Sequence, residues 1–183
     1  AKHLKEQGEL KDNMVVSTVM SNIGFYKAME ENGLQSVKTA VGDRYVVEEM
    51  RKNDYSLGGE QSGHIVLMNY ATTGDGILTA VKLSNIIKTS GKSLKELASE
   101  VSIYPQKLVN IKVVDKKTAM EDAEILAECE KVEKELEGNG RILLRASGTE
   151  NLIRVMVEAS SDELTDKYCE QVAKIVREKF EVK

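Results

Sequence analysis

Short β-branched runs alternate with longer helical periods over the first hundred residues. The run at 14–20 predicts a strand, and the segment 23–32 predicts a helix that Ser21 caps. The same strand–helix order repeats at 36–41 and 45–52. Because such alternation is typical of layered α/β domains, the pattern predicts an α/β domain with a largely parallel sheet.

The rest of this domain continues the alternation. Strands are predicted at 55–57 and 65–67, and Asp75 is placed to cap a long amphipathic helix that ends at Gly91. A capping box from Ser93 to Glu96 opens one more helix. We expect the apolar side chains of the long helix to lie inside, namely those of Ile77, Leu78, Val81, Leu83, Ile86 and Ile87.

The only proline, Pro105, stands where the helical periodicity stops, so we predict domains at 1–106 and 107–183. Thr118 and Glu121 form a second capping-box pattern beyond it. The order strand, helix, two strands, helix predicts a small α+β domain with helices on one face of an antiparallel sheet. The predicted elements are a strand at 108–114, a helix ending near Gly138, strands at 141–145 and 152–158, and a helix at 162–180.

The charge balance argues against broad binding to polyanions. Lys and Arg number 26 against 30 Asp and Glu, a formal net charge of −4. We therefore expect neither nucleic acid nor a membrane as a partner. No apolar run reaches the roughly 18 to 20 residues that span a bilayer, and a cytoplasmic protein is expected. Cys129 and Cys169 lack disulfide or metal-ligand spacing, which predicts buried thiols.

The segment 58–64 packs three glycines around four polar side chains. Since each glycine costs chain entropy, we expect something to approach the backbone there. The side chains of Glu60, Gln61, Ser62 and His64 suit the hydroxyl groups of a sugar, and His64 could also move a proton near neutral pH. The alternative is a β-turn whose polar side chains face water, and spacing alone does not decide between the two.

The segment 145–151 has a different chemical signature. Ser147, Gly148 and Thr149 offer two hydroxyls and consecutive backbone N–H groups that can form an anion-binding nest, and Arg145 and Arg154 can add guanidinium charge. A phosphate dianion is the expected ligand. The alternative is an ordinary hairpin loop with two solvated arginines, because the lysine of a Walker loop is missing.

Two further segments carry weaker signals. In 42–44, Arg44 could help to hold an anion, although a surface arginine paired with Asp43 is the commoner arrangement. In 72–76, helix capping by Asp75 explains the composition without any function.

Together, the segments 42–46, 59–64, 72–76 and 145–150 resemble the α-D-phosphohexomutase superfamily, and within it most closely the mutases of glucosamine phosphate. The resemblance covers essentially the whole chain. It implies the α/β third domain of these enzymes, followed by their fourth domain, which is similar to the TATA-binding-protein fold. It also implies interconversion of glucosamine 6-phosphate and glucosamine 1-phosphate through a phosphoserine and a bisphosphate intermediate, with Mg²⁺ polarising the transferred group.

The resemblance further implies residue roles. Glu60 and Ser62 would hold sugar hydroxyls with help from Arg44, and His64 would be a candidate acid or base. The phosphate that is not transferred would be held by Arg145, Ser147, Gly148, Thr149 and Arg154. Relatives usually have proline where this chain has Asn151, and many have lysine where it has Ala40.

Two parts of such an enzyme are not found here: the loop with the nucleophilic serine and the aspartate-rich metal loop. In the superfamily both belong to upstream domains, so we expect no metal site in this chain, Mg²⁺ only in the complete enzyme, and no turnover by the chain alone. The first residues read as the end of a helix closed by Gly8, which suggests a missing upstream part.

Two alternatives stay open at this point. One is a phosphomannomutase or phosphoglucomutase of the same superfamily, although the segment 60–62 favours the amino sugar. The other is a module that binds sugar phosphates without catalysis and works without upstream domains.

Overall fold

The chain is described by a computed structural model over residues 1–182, in which it divides into two units, Ala1–Ile103 and a second from Tyr104 onward. The first unit begins with α1 (Lys2–Glu6) and a 3₁₀ turn (Lys11–Asn13). It continues through β1 (Met14–Thr18), α2 (Ile23–Glu31), β2 (Gln35–Thr39), α3 (Asp43–Asn53), β3 (Leu57–Gly59), β4 (Ile65–Leu67), α4 (Gly76–Ser90) and α5 (Leu94–Ala98).

The four strands of the first unit form one sheet in the order β2-β1-β3-β4. β1 runs parallel to both β2 and β3, whereas β3 and β4 form an antiparallel hairpin. Val15 and Val16 point to opposite faces of the sheet and are both buried, because helices cover both faces. Val16 packs with Val46 and Met50 of α3, and Val15 packs with Met29 of α2. The predicted α/β domain with a largely parallel sheet is confirmed.

The helix ends of the first unit follow the predicted capping with one exception. Asp75 accepts a hydrogen bond from the N–H of Leu78 at 2.9 Å, and α4 ends at Gly91 as predicted. The Ser93–Glu96 capping box is also present. α2, however, is capped by Asn22 and not by Ser21, because the amide oxygen of Asn22 accepts from the N–H of Gly24 at 3.0 Å.

The prediction that the apolar side chains of α4 lie inside is wrong for part of the helix. Ile77 is 82% exposed and Val81 is 63% exposed. Leu78 packs partly against the core, and Lys82 donates to Glu9 at 2.9 Å. Residues four apart share a helix face, so the face with Leu78 and Lys82 contacts the unit and the face with Ile77 and Val81 does not.

Three antiparallel strands in the order β5-β7-β6 form the sheet of the second unit. Its elements are β5 (Gln106–Lys112), α6 (Lys116–Met120), α7 (Ala123–Leu136), β6 (Arg141–Ala146), β7 (Leu152–Glu158) and α8 (Asp162–Phe180). Ile153, Val155 and Val157 of β7 join the core formed with α7 and α8. The predicted small α+β domain is confirmed.

The opposite face of this sheet carries charged side chains. Arg154 and Glu158 alternate with the core residues of β7. Glu158 is fully buried and accepts a hydrogen bond from Nε of Arg141 on β6 at 2.7 Å. This buried ion pair fixes the start of β6 against the end of β7.

The capping box predicted at Thr118 is wrong, and two helices replace the single predicted one. Asp115 caps α6 by accepting from the N–H groups of Lys117 and Thr118. Asp122 caps α7 by accepting from the N–H groups of Glu124 and Ile125. An aspartate before each helix satisfies two N–H groups at once, and the chain turns between the two helices.

Both cysteines are free thiols, and burial raises the pKa of each to about 11. Cys169 is buried as predicted, whereas Cys129 is only half-buried. Among residues 1–182, no helix combines the length and the apolar content needed to cross a membrane.

Candidate functional site

The candidate sugar segment forms the tight connection of the β3–β4 hairpin. The N–H of Glu60 donates to the carbonyl of His64 at 2.9 Å, and the N–H of Gly63 donates to the carbonyl of Glu60 at 3.0 Å. Gly63 has a φ of +93°, a conformation that favours glycine. The segment is therefore folded by its own backbone hydrogen bonds.

The other glycines of this segment are explained by packing within the unit. A Cβ at Gly58 would lie 2.5 Å from Sδ of Met50 and 2.7 Å from a methyl carbon of Val46. A Cβ at Gly59 would lie 2.7 Å from the carbonyl oxygen of His64. The expected close approach to the backbone is thus made by the protein itself at these two positions.

Glu60 is half-buried and fixed through one carboxylate oxygen. Its Oε1 accepts a hydrogen bond at 3.0 Å from the N–H of Gly42, the residue before α3. The second oxygen makes no hydrogen bond within residues 1–182. Glu60 therefore presents one free acceptor from a fixed position.

His64 lies beside the turn that precedes α4. Its Nε2 is buried, has no hydrogen-bond partner among the described residues, and lies 3.6 Å from a carboxylate oxygen of Asp43. A Cβ at Gly74 would lie 2.2 Å from this nitrogen, so only glycine leaves room for the imidazole. A cavity of about 350 Å³ lies here, and it is lined by Ser62, Gly63, His64, Ile65, Gly74, Asp75 and Gly76.

Arg44 does not line this cavity. Its Nε donates to Glu48 one helical turn further along α3 at 2.7 Å, and its side chain is largely exposed. The expected pairing with Asp43 is wrong, because Asp43 instead accepts from the backbone N–H of Arg44 at 2.9 Å.

In the second unit, Arg145 and Arg154 are direct cross-strand partners on β6 and β7. Burial, and then the neighbouring charge of Arg154, lower the pKa of Arg145 below its ordinary value. Within residues 1–182 neither guanidinium has an acidic partner, and Nε of Arg154 is buried without a hydrogen-bond acceptor. Two cations thus lie side by side without an acidic partner in the described part of the chain.

The β6–β7 loop adds unpaired donors beside these arginines. Ser147 is 3% exposed, and its buried Oγ has no partner among the described residues. Its backbone N–H closes the base of the loop by donating to the carbonyl of Leu152 at 2.9 Å. Over the described chain, the backbone N–H groups of 148–151 find no protein acceptor. Gly148 and Thr149 therefore offer the free N–H groups that the predicted anion site requires.

One residue at this loop was not predicted from the sequence. Nζ of Lys116, the first residue of α6, donates to the carbonyl of Ser147 at 2.9 Å and to the carbonyl of Glu150 at 3.4 Å. Lys116 lies 31 residues before Ser147, and its surroundings in the sequence indicate only a helix start. No local pattern would have found it.

A larger cavity, of about 540 Å³, borders the end of the same loop. It is lined by Lys112, Val113, Val114, Glu150, Asn151, Leu152 and Val182. Arg145, Ser147 and Arg154 do not contribute to it, so we place the candidate anion site at the unpaired donors and not at this larger cavity. Asn151 is held there by its carbonyl, which accepts from the N–H of Val113 at 3.0 Å.

The donor set of the described residues does not fit a metal ion. Between residues 1 and 182, no three side chains of His, Cys, Asp or Glu are grouped in a way that could hold one. The two loops offer hydrogen-bonding groups that suit hydroxyl groups, unpaired donors that suit an anion, and the imidazole of His64, which could move a proton.

Comparison with known proteins identifies a family for each of the two units. The family model for phosphoglucomutase/phosphomannomutase, alpha/beta/alpha domain III, matches residues 1–104, and the model for the C-terminal domain of the same family matches residues 108–175. The phosphoglucosamine mutase of Anoxybacillus flavithermus is 61% identical over 180 residues, which are 98% of this chain and 40% of that protein. That of Leuconostoc mesenteroides subsp. mesenteroides is 61% identical over 178 residues, which are 97% of this chain and 39% of that protein.

A solved structure supports the fold. The N-acetylphosphoglucosamine mutase of Aspergillus fumigatus, in complex with GlcNAc-6P and magnesium, superposes with a TM-score of 0.75 at 21% identity over 90% of this chain and 41% of that chain.

The chain spans about 40% of the length of the curated relatives that it matches. The resemblance to the α-D-phosphohexomutases, and within them to the mutases of glucosamine phosphate, is confirmed by the family models and by these relatives. The chain belongs to the phosphoglucomutase/phosphomannomutase family.

Proposed function

We propose that this chain supplies the sugar-binding and phosphate-binding parts of a phosphoglucosamine mutase, which interconverts glucosamine 6-phosphate and glucosamine 1-phosphate. Relatives with that name are 61% identical to it over nearly its whole length. In this proposal residues 1–106 form the sugar-recognition domain and residues 107–183 form the phosphate-binding domain. The chain alone is expected to bind ligand without turning it over.

The observation that carries the proposal is the set of unpaired donors around the β6–β7 loop. Arg145 and Arg154 repel each other, and the buried hydroxyl of Ser147 has no hydrogen-bond partner among the described residues. Buried polar groups are normally paired, so an unpaired set of this kind favours a bound partner such as an anion. A phosphate dianion would neutralise both guanidinium groups and accept from Ser147, Gly148 and Thr149.

We place the sugar at the β3–β4 hairpin. The free carboxylate oxygen of Glu60 would accept from a sugar hydroxyl, and Ser62 and His64 line the adjacent cavity. His64 is also a candidate acid or base because its Nε2 has no protein hydrogen bond among the described residues. Arg44 would join by leaving Glu48, a step of low cost because both side chains of this ion pair are exposed to solvent.

In the proposed reaction a phosphoserine gives its phosphoryl group to the sugar phosphate, and the bisphosphate returns its other phosphoryl group to the serine. The β6–β7 loop would hold the phosphate that is not transferred, so that its binding energy positions the reacting end. The magnesium found with the Aspergillus enzyme would, in the proposed enzyme, bind to residues outside this chain.

A calorimetric titration of glucosamine 6-phosphate into this chain tests the proposal. We expect binding that weakens at least about tenfold in Arg145→Ala, because a hydrogen bond to a charged group contributes roughly 1.5–3 kcal/mol. Glucosamine without phosphate is the ligand control and is expected to bind much more weakly. Equal affinity of the wild type and Arg145→Ala, or no binding to either, would overturn the proposal for this chain.

The same titration separates the related sugars. The names of the curated relatives favour the amino sugar over glucose or mannose. We therefore expect glucosamine 6-phosphate to bind more tightly than glucose 6-phosphate and mannose 6-phosphate. A preference for one of the latter two would indicate a phosphoglucomutase or a phosphomannomutase.

A further inference from the structure

Lys116 contacts the phosphate loop from the side of α6. Its ammonium group donates to the carbonyls of Ser147 and Glu150, which lie near the two ends of the loop. Lys116 is half-buried, whereas the neighbouring Lys117 is exposed and makes no side-chain contact with the loop within the described residues. The contact is therefore specific to one of two adjacent lysines.

These two hydrogen bonds fix the orientation of two peptide groups. In a trans peptide the C=O of one residue and the N–H of the next point in opposite directions. The peptides after Ser147 and Glu150 are trans. Since both carbonyls point toward Lys116, the N–H groups of Gly148 and Asn151 point away from it, and both are free of protein acceptors over residues 1–182.

We propose that Lys116 is a positioning residue of the phosphate loop. By holding the two carbonyls it turns the N–H groups of Gly148 and Asn151 outward, into the orientation in which they can donate to a phosphate. It does so without contacting the phosphate itself. This inference rests on the proposed function for the identity of the ligand, but the orientation of the loop is a property of the ligand-free chain.

The physical reason for a lysine at this position is twofold. A loop of free N–H groups has no internal hydrogen bonds to hold it, so an outside donor must fix its carbonyls. A cation does this with charge-assisted bonds and at the same time keeps the negative ends of the carbonyl dipoles away from the expected dianion. An apolar side chain of the same length would provide neither effect.

Three variants test the proposal. Lys116→Met removes the donor and keeps the length of the side chain, Lys116→Arg keeps a cationic donor, and Lys117→Met is the matched control for the loss of one charge. The first readout is hydrogen exchange in the ligand-free chain at the N–H groups of Ser147 and Val113, which donate to the carbonyls of Leu152 and Asn151 across the base of the loop. The second readout is the affinity for inorganic phosphate by calorimetry.

We expect Lys116→Met to exchange these two amides at least about tenfold faster and to bind phosphate at least about tenfold more weakly. Lys116→Arg should keep most of the amide protection and of the phosphate affinity of the wild type. Lys117→Met should change neither the exchange rates nor the affinity. Amide exchange in Lys116→Met equal to that in Lys117→Met would overturn the proposal, whether or not phosphate binds. Weaker phosphate binding with unchanged exchange would also overturn it, because it would make Lys116 a direct ligand contact.

The two readouts distinguish a failure of the proposed function from a failure of the role proposed for Lys116. A wild-type chain that does not bind phosphate contradicts the proposed function, while the exchange experiment still decides whether Lys116 orients the loop. A wild-type chain that binds phosphate, with exchange and affinity unchanged in Lys116→Met, contradicts only the role of Lys116.

Discussion

Arg145 and Arg154 lie directly opposite each other on two hydrogen-bonded strands, with no acidic side chain among the described residues to neutralise them. Like charges in this position destabilise a sheet. The ligand-free second unit is therefore less stable because of the two charges at the place where the proposed phosphate binds. The difference in stability with and without phosphate can be measured without any enzymatic reaction.

Replacing Arg145 should affect the free and the ligand-bound chain in opposite ways. In Arg145→Met we expect the ligand-free chain to be as stable as the wild type or more stable, by up to about 1 kcal/mol, because the repulsion is relieved. The rise in melting temperature caused by inorganic phosphate should become much smaller than in the wild type, because the remaining site binds phosphate more weakly. Thermal melts with and without phosphate check both effects. Arg177→Met, which removes an arginine from α8, is the control and should keep the response to phosphate.

Arg141 lies on the same strand but should behave differently. Its guanidinium pairs with the fully buried carboxylate of Glu158 at 2.7 Å. Removing one member of a buried pair typically costs about 3 kcal/mol, so Arg141→Met should lower the free energy of unfolding by about that amount. Urea denaturation measures it, with Arg145→Met as the comparison. Equal free energies of unfolding for the two variants would show that the buried ion pair does not stabilise the fold.

The glycine beside His64 can be tested against a nearby glycine. In Gly74→Ala the new methyl group would lie 2.2 Å from Nε2 of His64, so the imidazole must move. In Gly76→Ala the methyl group meets nothing within 4 Å. We expect only Gly74→Ala to shift the nuclear magnetic resonance signals of the His64 ring and to weaken binding of glucosamine 6-phosphate. Unshifted signals in Gly74→Ala would mean that the imidazole does not contact Gly74 in solution.

The thiols of Cys129 and Cys169 should react slowly in the folded chain. Burial raises the pKa of both to about 11, so little thiolate is present at pH 8. Mass spectrometry after treatment with iodoacetamide should show slow labelling that becomes fast in urea. Rapid labelling of Cys169 without urea would contradict its burial.

The same shift has a consequence for stability at high pH. A pKa above the ordinary thiol value of about 9 means that the folded state holds the proton more tightly than the unfolded state does. The contribution of the protonated Cys169 thiol to the free energy of unfolding is therefore complete below pH 9, and it is lost as the pH rises toward 11. Cys169→Ala should lose less stability than the wild type over this interval when both are unfolded by urea.

Much of the fold could be predicted from the sequence because its signals are local. Hydrophobic periodicity placed the strands and the long helices, and Asp75, Gly91 and the Ser93 capping box were visible as caps. Ion pairs were harder to predict where two acidic residues compete for the same basic side chain. Arg44 had acidic residues beside it and one helical turn away, and the helix geometry favoured Glu48 over Asp43.

The residues of the candidate sites could be predicted only where they lie close together in the sequence. Periodicity identified the apolar residues of α4 but not which of them are covered, because Ile77 and Leu78 differ only in the face on which they lie. Gly58 suggested a ligand, although the structure shows that α3 takes the space of its side chain. Lys116 could not be predicted at all, since only the folded chain brings it to Ser147.

The pairing of β6 with β7 also limits how this site can change during evolution. Arg154 lies between Ile153 and Val155, which are both in the core formed with α7 and α8, so a shift of β7 by one residue would turn the arginine toward that core and the two apolar side chains away from it. We therefore expect a single-residue insertion or deletion within these strands to disrupt folding. Substitutions in the exposed residues 148–151 leave the strand pairing intact, so we expect the loop to tolerate change more readily than the strands that hold the two arginines.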